Sequence, residues 1–516
     1  MSALPPASPV AVVGGGVMGS GIAMVAASAG HTVLLYDLQP EAAQRAVDSI
    51  RSQYAKLTAR GKLNEQQAEA AANRITPTAT LADLAGAALV IEAIVERLEA
   101  KQTLFRQLEE LVAADCLFAS NTSSISITAI AAALQRPGRL AGMHFFNPAP
   151  QMALVEIVSG LASSEQTLKT LGATARAWGK TAVSTRSAPG FIVNRIARPF
   201  YGESLRLAQE GAADYATLDA LLRDCGGFRM GPFELMDLIG LDINLAVSQS
   251  VWQATFLDPR YTPTLIQQEM VNAGWLGRKS GRGYYFYGAE LPPAPVQSEP
   301  AQPWPTCITV YTGSVAGQAL ARRLQHNGVV FSCDSSSDGC IASTGDARLY
   351  LSDGRSASQR ALESGTPNLV LLDLALDYDH AARLAIQAAA GCSAMDRDAA
   401  IGLLQAAGLQ VTLLPDGAGL PVLRTVSMLV NEACDVLGQG HASAHDIDTA
   451  MRLGVNYPCG PIAWGEQLGF DTVRNVLRHL ADCYGEDRYR VAPLLEQLHL
   501  AERCGQRPAS LYHQRG

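Results

Sequence analysis

Several features that mark other classes of protein are missing from this 516-residue sequence. No apolar run reaches about 18 residues without interruption, so we do not expect a membrane-spanning helix. The N-terminus lacks the basic and then apolar pattern of a signal peptide. There is no block of basic residues and the net charge is −8, which argues against nucleic acid as a partner. An anionic substrate would need a local basic site, because the overall charge repels it.

Cysteine pairs at metal-ligand or redox spacing are also missing. The ten cysteines are scattered and include no C-x-x-C pair, so we predict no metal site and interpret them as mostly reduced thiols of a cytoplasmic protein. What the chain does have is length and apolar content, with 48% hydrophobic residues. The length predicts about two to four domains, and the apolar content is sufficient for large cores.

A nucleotide-binding pattern opens the chain. The apolar run Pro9–Val13 leads into G-G-G-V-M-G at residues 14–19, small and apolar residues follow, and a second apolar run, Thr32–Tyr36, ends in Asp37. This order is typical of dinucleotide sites, because the glycines let the backbone approach a pyrophosphate and the helix N-terminus favours negative charge. Asp37 would bind the adenine ribose and repel a 2′-phosphate, so NAD is favoured over NADP. The alternative is a glycine turn that only packs a helix against a strand.

Two polar stretches follow, and each has two interpretations. The stretch Glu41–Ala72 is helical in pattern and contains Lys56 with other basic residues, so it is either a solvated helix pair or a basic face for a phosphorylated substrate. The cluster N-T-S-S at residues 121–124 follows the predicted strand Leu117–Ser120. Polar residues at the carboxyl ends of parallel strands point into the ligand crevice, but such a cluster also caps helices.

A histidine and a glutamate 12 residues apart are the candidate catalytic pair. His144 ends a predicted strand, and Glu156 lies inside the apolar run Ala153–Val158. An imidazole titrates near neutrality and can take the proton that leaves an alcohol when a hydride is removed from its carbon. A carboxylate on the far ring nitrogen would fix the tautomer and stabilise the imidazolium. The alternative is a core histidine that the backbone satisfies.

Six longer motifs lie between residues 9 and 288. They are V-G-G-G-V-M-G-S-G-I-A, I-E-A-I-V-E, S-N-T-S-S, M-H-F-F-N-P, P-G-F-I-V-N-R and G-R-K-S-G-R-G-Y-Y-F-Y. With these motifs, this part of the chain resembles the 3-hydroxyacyl-CoA dehydrogenase family. The resemblance implies that the protein interconverts a 3-hydroxyacyl-CoA and its 3-oxoacyl-CoA with NAD as cofactor and an acyl-CoA as substrate.

The resemblance also implies roles for particular residues. His144 matches the family's catalytic base and Glu156 the acid that orients it. Ser123 matches the serine that polarises the substrate oxygen, and Asn194 the asparagine that helps to hold it. The residues that match the NAD site are Gly14, Gly16, Val17, Met18, Gly19, Asp37, Glu96, Lys101, Asn121, Ser123, Asn147 and Lys279. Ser49 and Lys56 match positions that contact coenzyme A, whereas Ala153 departs from the lysine that many relatives carry.

An internal repeat predicts a second helical domain. A shift of 229 residues aligns 190–242 with 419–471 without a gap and matches identical residues along the whole stretch, such as Gly190, Glu203 and Asp242 with Gly419, Glu432 and Asp471. The second copy has Leu423 where the first has Asn194, so it keeps packing residues and loses the polar one. We therefore expect the second copy to be structural and to cover the apolar face of the first helical domain, as a second subunit would.

The predicted fold class is an α/β Rossmann-type domain followed by an all-α domain, a degenerate α/β segment and a duplicated all-α domain. The predicted boundaries are 1–188 for the NAD-binding domain, 189–288 for the first helical domain, 289–305 for a proline-rich linker, 306–415 for the degenerate segment without a dinucleotide site, and 416–516 for the second helical domain. The two-copy arrangement is similar to bacterial enzymes of phenylacetate breakdown that act on 3-hydroxyadipyl-CoA. A short-chain substrate, 3-hydroxybutyryl-CoA, and a free hydroxy acid are the alternatives, and a homo-oligomer is left open.

Overall fold

The structure is a computed structural model whose description covers residues 2–288, 294–335, 338–505 and 511–513. Part of the predicted linker, residues 289–293, lies outside the described residues. The same holds for 336–337 of the predicted degenerate segment and for 506–510 and 514–516 of the second helical domain. Within the described ranges, no helix combines the length and the apolar character that crossing a membrane requires.

The chain divides into two compact units, and neither is a single continuous stretch. The first unit comprises Met1–Arg195, Gln439–Val455 and Ser510–Gly516, and the second comprises Ile196–Gly438 and Asn456–Ala509. Part of the second sequence repeat therefore belongs to the same unit as the glycine motif.

Each unit contains one β-sheet surrounded by helices. The strands are β1 (Val10–Val13), β2 (Val33–Tyr36), β3 (Ile75–Thr78), β4 (Leu89–Glu92), β5 (Leu117–Ser120), β6 (Leu140–Phe145), β7 (Leu154–Ser159), β8 (Thr181–Arg186), β9 (Ile308–Tyr311), β10 (Ser332–Asp334), β11 (Cys340–Thr344), β12 (Ala347–Leu351), β13 (Leu369–Leu372), β14 (Arg383–Ala388) and β15 (Gln410–Leu413). The α-helices are α1 (Val17–Ser28), α2 (Pro40–Ala59), α3 (Glu65–Asn73), α4 (Leu98–Leu111), α5 (Ile127–Ala131), α6 (Glu165–Ala177), α7 (Val193–Ile196), α8 (Arg198–Gln209), α9 (Tyr215–Asp224), α10 (Pro232–Ile239), α11 (Leu241–Ala254), α12 (Leu265–Asn272), α13 (Val315–His326), α14 (Ala357–Ser364), α15 (Ala394–Ala406), α16 (Pro421–Gly438), α17 (Ala444–Gly454), α18 (Pro461–Leu468), α19 (Phe470–Tyr484) and α20 (Pro493–Arg503).

The sheet of the first unit is an open Rossmann-type sheet. Its strand order is β3-β2-β1-β4-β5-β6-β7-β8, and every neighbouring pair is parallel except β6 and β7. Alternate residues of a strand enter opposite cores: Val10 and Val12 join one buried cluster, and Ala11 and Val13 join the other. Because the strand order reverses between β1 and β4, the ligand crevice is expected outside the carboxyl ends of these strands.

The sheet of the second unit is a reduced version of this arrangement. Its strand order is β10-β9-β11-β12-β13-β14-β15. At one end the two sheets correspond, because β13 is antiparallel to β14 and β14 is parallel to β15, as β6, β7 and β8 are in the first sheet. At the other end β9 and β12 flank β11, to which both are antiparallel, so the parallel succession of the first sheet is lost.

The helices of the second unit follow the sequence repeat. The long helices α8 and α16 occupy corresponding positions in the two copies and pack on each other. The apolar periodicity of Phe191–Glu210 predicts one helix, but the stretch forms two helices, α7 and α8, and Pro199 lies in the first turn of α8. Proline is favoured there because the first N–H groups of a helix have no partner within the helix.

Candidate active site

The glycine turn between β1 and α1 has the geometry that a dinucleotide requires. Gly14 has a φ of 113°, and a Cβ atom at Gly19 would lie 1.8 Å from the carbonyl oxygen of Gly14, so neither position has room for a side chain. A Cβ atom at Gly16 would meet nothing within 4 Å. Gly16 caps α1 without a side-chain hydrogen bond. The first turn of α1 therefore offers backbone N–H groups to an open space, which fits a pyrophosphate.

Asp37 lies beside this turn, at the end of β2. Its Oδ2 accepts a hydrogen bond from the N–H of Gly15 at 2.8 Å, and its Oδ1 accepts one from the N–H of Gln39 at 2.9 Å. The carboxylate is thus fixed against the glycine turn, where it fits a ribose hydroxyl pair. Val17 and Leu38 are 75% and 86% exposed on the surface around it. These residues fit the adenosine half of NAD.

His144 and Glu156 are in direct contact. They face each other in the antiparallel register of β6 and β7, so their side chains lie on the same face of the sheet. The Nδ1 atom of His144 lies 2.6 Å from Oε2 of Glu156, and both side chains are buried. Hydrogen bonding to a carboxylate places the proton on Nδ1, which leaves Nε2 of the neutral imidazole as the acceptor. The ring is held by Phe146 and Phe191, whose centroids lie 4.5 and 5.8 Å away.

The second oxygen of Glu156 is held by a helix start. Oε1 accepts hydrogen bonds from the backbone N–H groups of Ile192 and Val193, each at 3.1 Å. The preceding residue, Phe191, has a φ of 50°, which is uncommon for a residue other than glycine. This backbone turn directs two successive N–H groups at one buried carboxylate. Both oxygens of Glu156 therefore have strong partners, and the orientation of the His144 ring follows from the start of α7.

A buried charge cluster lies at the ends of β4 and β5. Lys101 is 1% exposed, and its Nζ lies 2.6 Å from Oε1 of Glu92 and 3.1 Å from Oε2 of Glu96. Ser120 donates its hydroxyl to Oε2 of Glu92 at 2.6 Å. Burial acts to raise the pKa of Glu96, but the Lys101 ammonium and a hydrogen bond from Thr122 outweigh burial and hold this pKa below its usual value. Lys101 acts from behind the site, as the cation that keeps Glu96 ionised and in place.

Glu96 in turn holds the serine-rich turn after β5. Its Oε1 accepts the hydroxyl of Thr122 at 2.6 Å, the N–H of Ser123 at 3.0 Å and the hydroxyl of Ser124 at 3.0 Å. The Ser123 hydroxyl is 3.4 Å from the same oxygen. Ser123 is partly exposed, whereas Thr122 is buried. Thr122 accepts the N–H of Ile125 at 2.9 Å within this turn, whereas α5 is capped by Ser126, whose hydroxyl accepts the N–H of Ala129. The capping interpretation is therefore wrong for residues 121–124, and contact of Ser123 with a ligand stays a prediction.

The predicted asparagines occupy three different environments. Asn121 joins the ends of β5 and β6, because its Oδ1 accepts the N–H of Phe145 at 2.8 Å. Asn147 is exposed just beyond β6, and Asn194 is partly buried in α7, one residue after the Val193 N–H that Glu156 binds. Contacts of these residues with cofactor or substrate stay predictions.

Two of the remaining predicted residues lie on a helix of the first unit, and the third lies in the second unit. Ser49 and Lys56 are exposed and seven residues apart on α2, so they lie on the same face of that helix. Lys279 belongs to the second unit, where its Nζ pairs with Asp242 at 2.5 Å. Burial acts to raise the pKa of Asp242, but the hydrogen bond from Lys279 helps to hold it below its usual value.

Several residues of this region were not predicted. Glu92 and Ser120 complete the charge cluster, and the N–H groups of Ile192 and Val193 complete the Glu156 site. Glu92 is an acid inside an apolar strand, the same criterion that singled out Glu156, so the sequence could have indicated it. The backbone N–H groups have no sequence pattern, because any residue except proline supplies one.

Removing a hydride from carbon and a proton from oxygen are the two halves of alcohol oxidation. The glycine turn and Asp37 fit the binding of NAD, which accepts the hydride. The Nε2 atom of His144 can accept the proton. The class of protein defined by this fold and site is an NAD-dependent oxidoreductase that acts on CH–OH groups.

Comparisons with known proteins agree with this class and narrow it. The 3-hydroxyacyl-CoA dehydrogenase NAD-binding domain matches residues 9–188, and the C-terminal domain of the same enzymes matches residues 190–287 and again 419–512. A 3-hydroxybutyryl-CoA dehydrogenase reduced Rossmann-fold domain matches residues 349–417. The chain belongs to the 3-hydroxyacyl-CoA dehydrogenase family, as the resemblance of its motifs predicted.

Individual relatives fall into two groups. The chain is 44% identical to 3-hydroxyadipyl-CoA dehydrogenase of Escherichia coli K12 over 96% of this chain and 98% of the relative. It is 42% identical to the probable 3-hydroxybutyryl-CoA dehydrogenase of Bacillus subtilis, but over only 54% of this chain and 96% of that relative. The crystal structure of 3-hydroxybutyryl-CoA dehydrogenase from E. coli K12 superimposes with a TM-score of 0.88 at 43% identity, covering 97% and 99% of the two chains.

Proposed function

We propose that this protein oxidises 3-hydroxyadipyl-CoA to 3-oxoadipyl-CoA with NAD. The observation that carries the proposal is the contact between His144 and Glu156 on neighbouring strands, at the rim that also bears the glycine turn. The choice of acyl group is supported by the E. coli 3-hydroxyadipyl-CoA dehydrogenase, which matches both sequence repeats, whereas the B. subtilis 3-hydroxybutyryl-CoA enzyme matches about half of the chain.

In the proposed mechanism, Nε2 of His144 accepts the proton of the 3-hydroxyl group. Glu156 accepts the Nδ1 proton in a hydrogen bond and stabilises the imidazolium that forms. Glu96 holds Ser123 by its backbone N–H, and the Ser123 hydroxyl turns its single proton from Glu96 to the substrate oxygen, which Asn194 helps to hold. NAD supplies the chemistry of hydride acceptance at its nicotinamide ring. We further propose that the exposed face of α2 with Ser49 and Lys56 binds coenzyme A and that Lys279 contacts the cofactor.

Two broader features belong to the same proposal. We propose that the domains end at residues 188, 288, 305 and 415 and that NAD binds in the first domain alone. We also propose that the protein acts in the cytoplasm, which is supported by ten cysteines that are all present as thiols.

The test is formation of NADH with a panel of CoA thioesters. The purified full chain is assayed with 3-hydroxyadipyl-CoA, 3-hydroxybutyryl-CoA and the corresponding free hydroxy acids, and kcat/KM is compared at equal NAD. The proposal expects the highest kcat/KM for the dicarboxylic thioester and no turnover of the free acids. Preference for 3-hydroxybutyryl-CoA would favour the second candidate, which is supported by the name of the crystallised E. coli relative. Equal turnover of free acids would reject a CoA-dependent enzyme.

A further inference from the structure

A segment of the second sequence repeat closes the edge of the first sheet. The strand β8 has β7 on one side, and on the other side its Arg186 N–H donates to the carbonyl oxygen of His441 at 2.9 Å. The Ser184 N–H bonds the carboxylate of Asp446. An open strand edge exposes unpaired backbone groups. The segment Gln439–Val455 therefore completes the sheet of the first unit, although it comes from the repeat that lacks the catalytic asparagine.

The helix of this segment ends against the residues that hold Glu156. Gly454 is the last residue of α17, which packs on β7 and β8. A Cβ atom at Gly454 would lie 2.9 Å from Cδ2 of Leu154 and 2.9 Å from Cγ2 of Val193, closer than such contacts normally come. Leu154 and Val193 are both buried, so neither has free space to retreat into. Val193 is also β-branched and stiff.

Leu154 and Val193 are the two neighbours through which Glu156 is placed. Leu154 precedes Glu156 by two residues on β7, so its side chain lies on the same face of the sheet. Val193 supplies one of the two N–H groups that bind Oε1 of Glu156. The absence of a side chain at Gly454 allows the strand and the helix start to approach α17 together.

The backbone of Gly454 does not itself require glycine. Its φ is outside the left-handed region in which glycine is favoured. The corresponding residue of the first repeat, 229 positions earlier, is Cys225. It follows the last residue of α9 and, unlike Gly454, carries a side chain. The repeat therefore accepts a side chain at this position, and space is the only reason for glycine at 454.

We propose that Gly454 is a positioning residue for the catalytic pair. By letting α17 pack closely on Leu154 and Val193, it sets the place of Glu156 and, through the Nδ1 hydrogen bond, the orientation of the His144 ring. The second repeat thus contributes to catalysis without touching substrate or cofactor. This inference rests on the proposed function, because it assigns a role to Gly454 in the reaction of that same pair.

The test compares Gly454→Ala and Gly454→Val in the full chain with a matched helical glycine. Gly172 lies inside α6, against the same sheet, and a Cβ atom there would meet nothing nearer than the Arg176 guanidinium at 3.5 Å. Gly172→Ala should keep wild-type kcat. Gly454→Val should lower kcat on the order of 10- to 100-fold, because small displacements of catalytic groups have effects of that size, and Gly454→Ala should lie between. The KM for NAD should change by less than about twofold, since the glycine turn is untouched.

Two further measurements separate positioning from general damage. The Nδ1 proton of His144, strongly deshielded by its carboxylate partner, should shift in the proton NMR spectrum of Gly454→Val and stay in place in Gly172→Ala. Adding Val193→Ala to Gly454→Val removes one of the two collisions and leaves the one with Leu154, so it should restore part of the lost kcat. If Gly454→Val does not fold, Gly454→Ala carries the same comparison.

The outcomes distinguish the inference from the function on which it rests. Wild-type protein that forms no NADH with any 3-hydroxyacyl-CoA would reject the proposed function, whereas the NMR comparison could still be made. Active wild-type protein with unchanged kcat and an unchanged Nδ1 proton in both Gly454 variants would reject the positioning role alone.

Discussion

The two halves of the molecule each place a buried acid at the start of a helix, but only one acid has an oxygen left for a base. In the first unit, Oε1 of Glu156 takes the N–H groups at the start of α7 and Oε2 takes His144. In the second unit, Asp373 follows β13 and accepts the N–H groups of Val422 and Leu423 at 2.8 and 3.0 Å, one on each oxygen. The backbone partner corresponds, because Val422 is Val193 shifted by 229 residues.

The difference lies in which strand carries the acid. Glu156 is on β7, and the neighbouring antiparallel strand β6 contributes the histidine. Asp373 follows β13, which is antiparallel to β14 as β6 is to β7, so an acid occupies the strand that corresponds to the histidine strand. A short side chain there reaches the helix start directly. The second half thus keeps the helix-capping function of the acid and has no base beside it among the residues that the structure describes.

The largest expected effect tests whether the first half alone is catalytic. His144→Gln removes the base and leaves both helix starts intact, so kcat should fall roughly 10²- to 10⁴-fold, the usual range for loss of a general base. The measurement is the rate of NADH formation at saturating substrate and NAD. Turnover close to wild type would mean that a base lies elsewhere in the chain.

The next effect compares the two acids directly. Glu156→Gln keeps the shape of the side chain but removes the charge that stabilises the imidazolium, so kcat should fall on the order of 10²-fold. Asp373→Asn makes the matching change in the second half and should leave kcat within about twofold, because no group of the reaction is bound to it. Equal losses in the two variants would contradict the division into a catalytic and a structural acid.

The contact between His144 and Glu156 could be predicted from the sequence because residue types and spacing indicated it, and their catalytic role stays a prediction. An acid in an apolar strand needs a partner, and His144 at a strand end supplied one. The Rossmann-type sheet was predicted for a similar reason: short apolar runs ending in glycine or acid are directly visible. In the second half, the apolar runs at 306–310, 369–373 and 410–414 predict strands, and these strands are β9, β13 and β15, whereas β10, β11, β12 and β14 were missed. Strand β14 starts with Arg383 and β10 is exposed and polar, so hydrophobic pattern could not indicate them.

Other parts of the site depend on contacts between distant segments. Lys101 was predicted to bind NAD, but its burial behind Glu92 and Glu96 follows only from the way α4 packs on the sheet. The contact of Gly454 with Leu154 and Val193 joins residues about three hundred positions apart, as counted in the sequence. The repeat itself predicted a second helical domain, but not that part of it would complete the first sheet.

A third prediction concerns the reciprocal contacts of the two repeats in the second unit. Glu203 of the first repeat binds Arg488 at 3.5 Å and the Tyr489 hydroxyl at 3.0 Å, both from the second repeat, and it also binds Arg424 at 2.8 Å. In return, Glu432 of the second repeat binds Arg260 and Tyr261 of the first, at 3.2 and 2.5 Å. Two like surfaces that exchange the same contacts are what a two-fold dimer would have. Such an exchange is what we expect if the second repeat packs on the first as a second subunit would.

Breaking either contact should therefore have a similar cost. Glu203→Gln and Glu432→Gln each leave a buried guanidinium short of one acid, and each should lower the free energy of unfolding by about 3 kcal/mol. We expect the lower end of the range of stability losses for a broken buried ion pair. The reason is that Glu210 remains beside Arg424 and Asp435 remains beside Arg260. Urea unfolding checks the values, with Glu41→Gln as a control at an exposed ion pair with Arg45. A large loss for one variant and none for the other would show that the exchange is not symmetrical in energy.

The smallest expected effect is a pH dependence that belongs to the second acid. Burial raises the pKa of Asp373 to about 7, despite its hydrogen bonds from Val422 and Leu423. In the unfolded chain an aspartate titrates near about 4, so between these values the folded protein keeps a proton that the unfolded chain has lost. Asp373 therefore makes the free energy of unfolding fall as pH rises from about 4 to about 7, and adds no further slope above that.

Asp373→Asn should remove this slope. The free energies of unfolding of wild type and variant are measured in urea at pH 5 and at pH 8. Relative to the variant, the wild type should be less stable at pH 8 than at pH 5, by a few kcal/mol at most. Asp219, whose pKa burial also raises to about 7, is present in both proteins, so its contribution cancels in the comparison. A difference that is constant with pH would mean that the three N–H groups around Asp373, from Val422, Leu423 and Leu374, keep it ionised throughout. In that case the two acids would differ only in their partners and not in their charge.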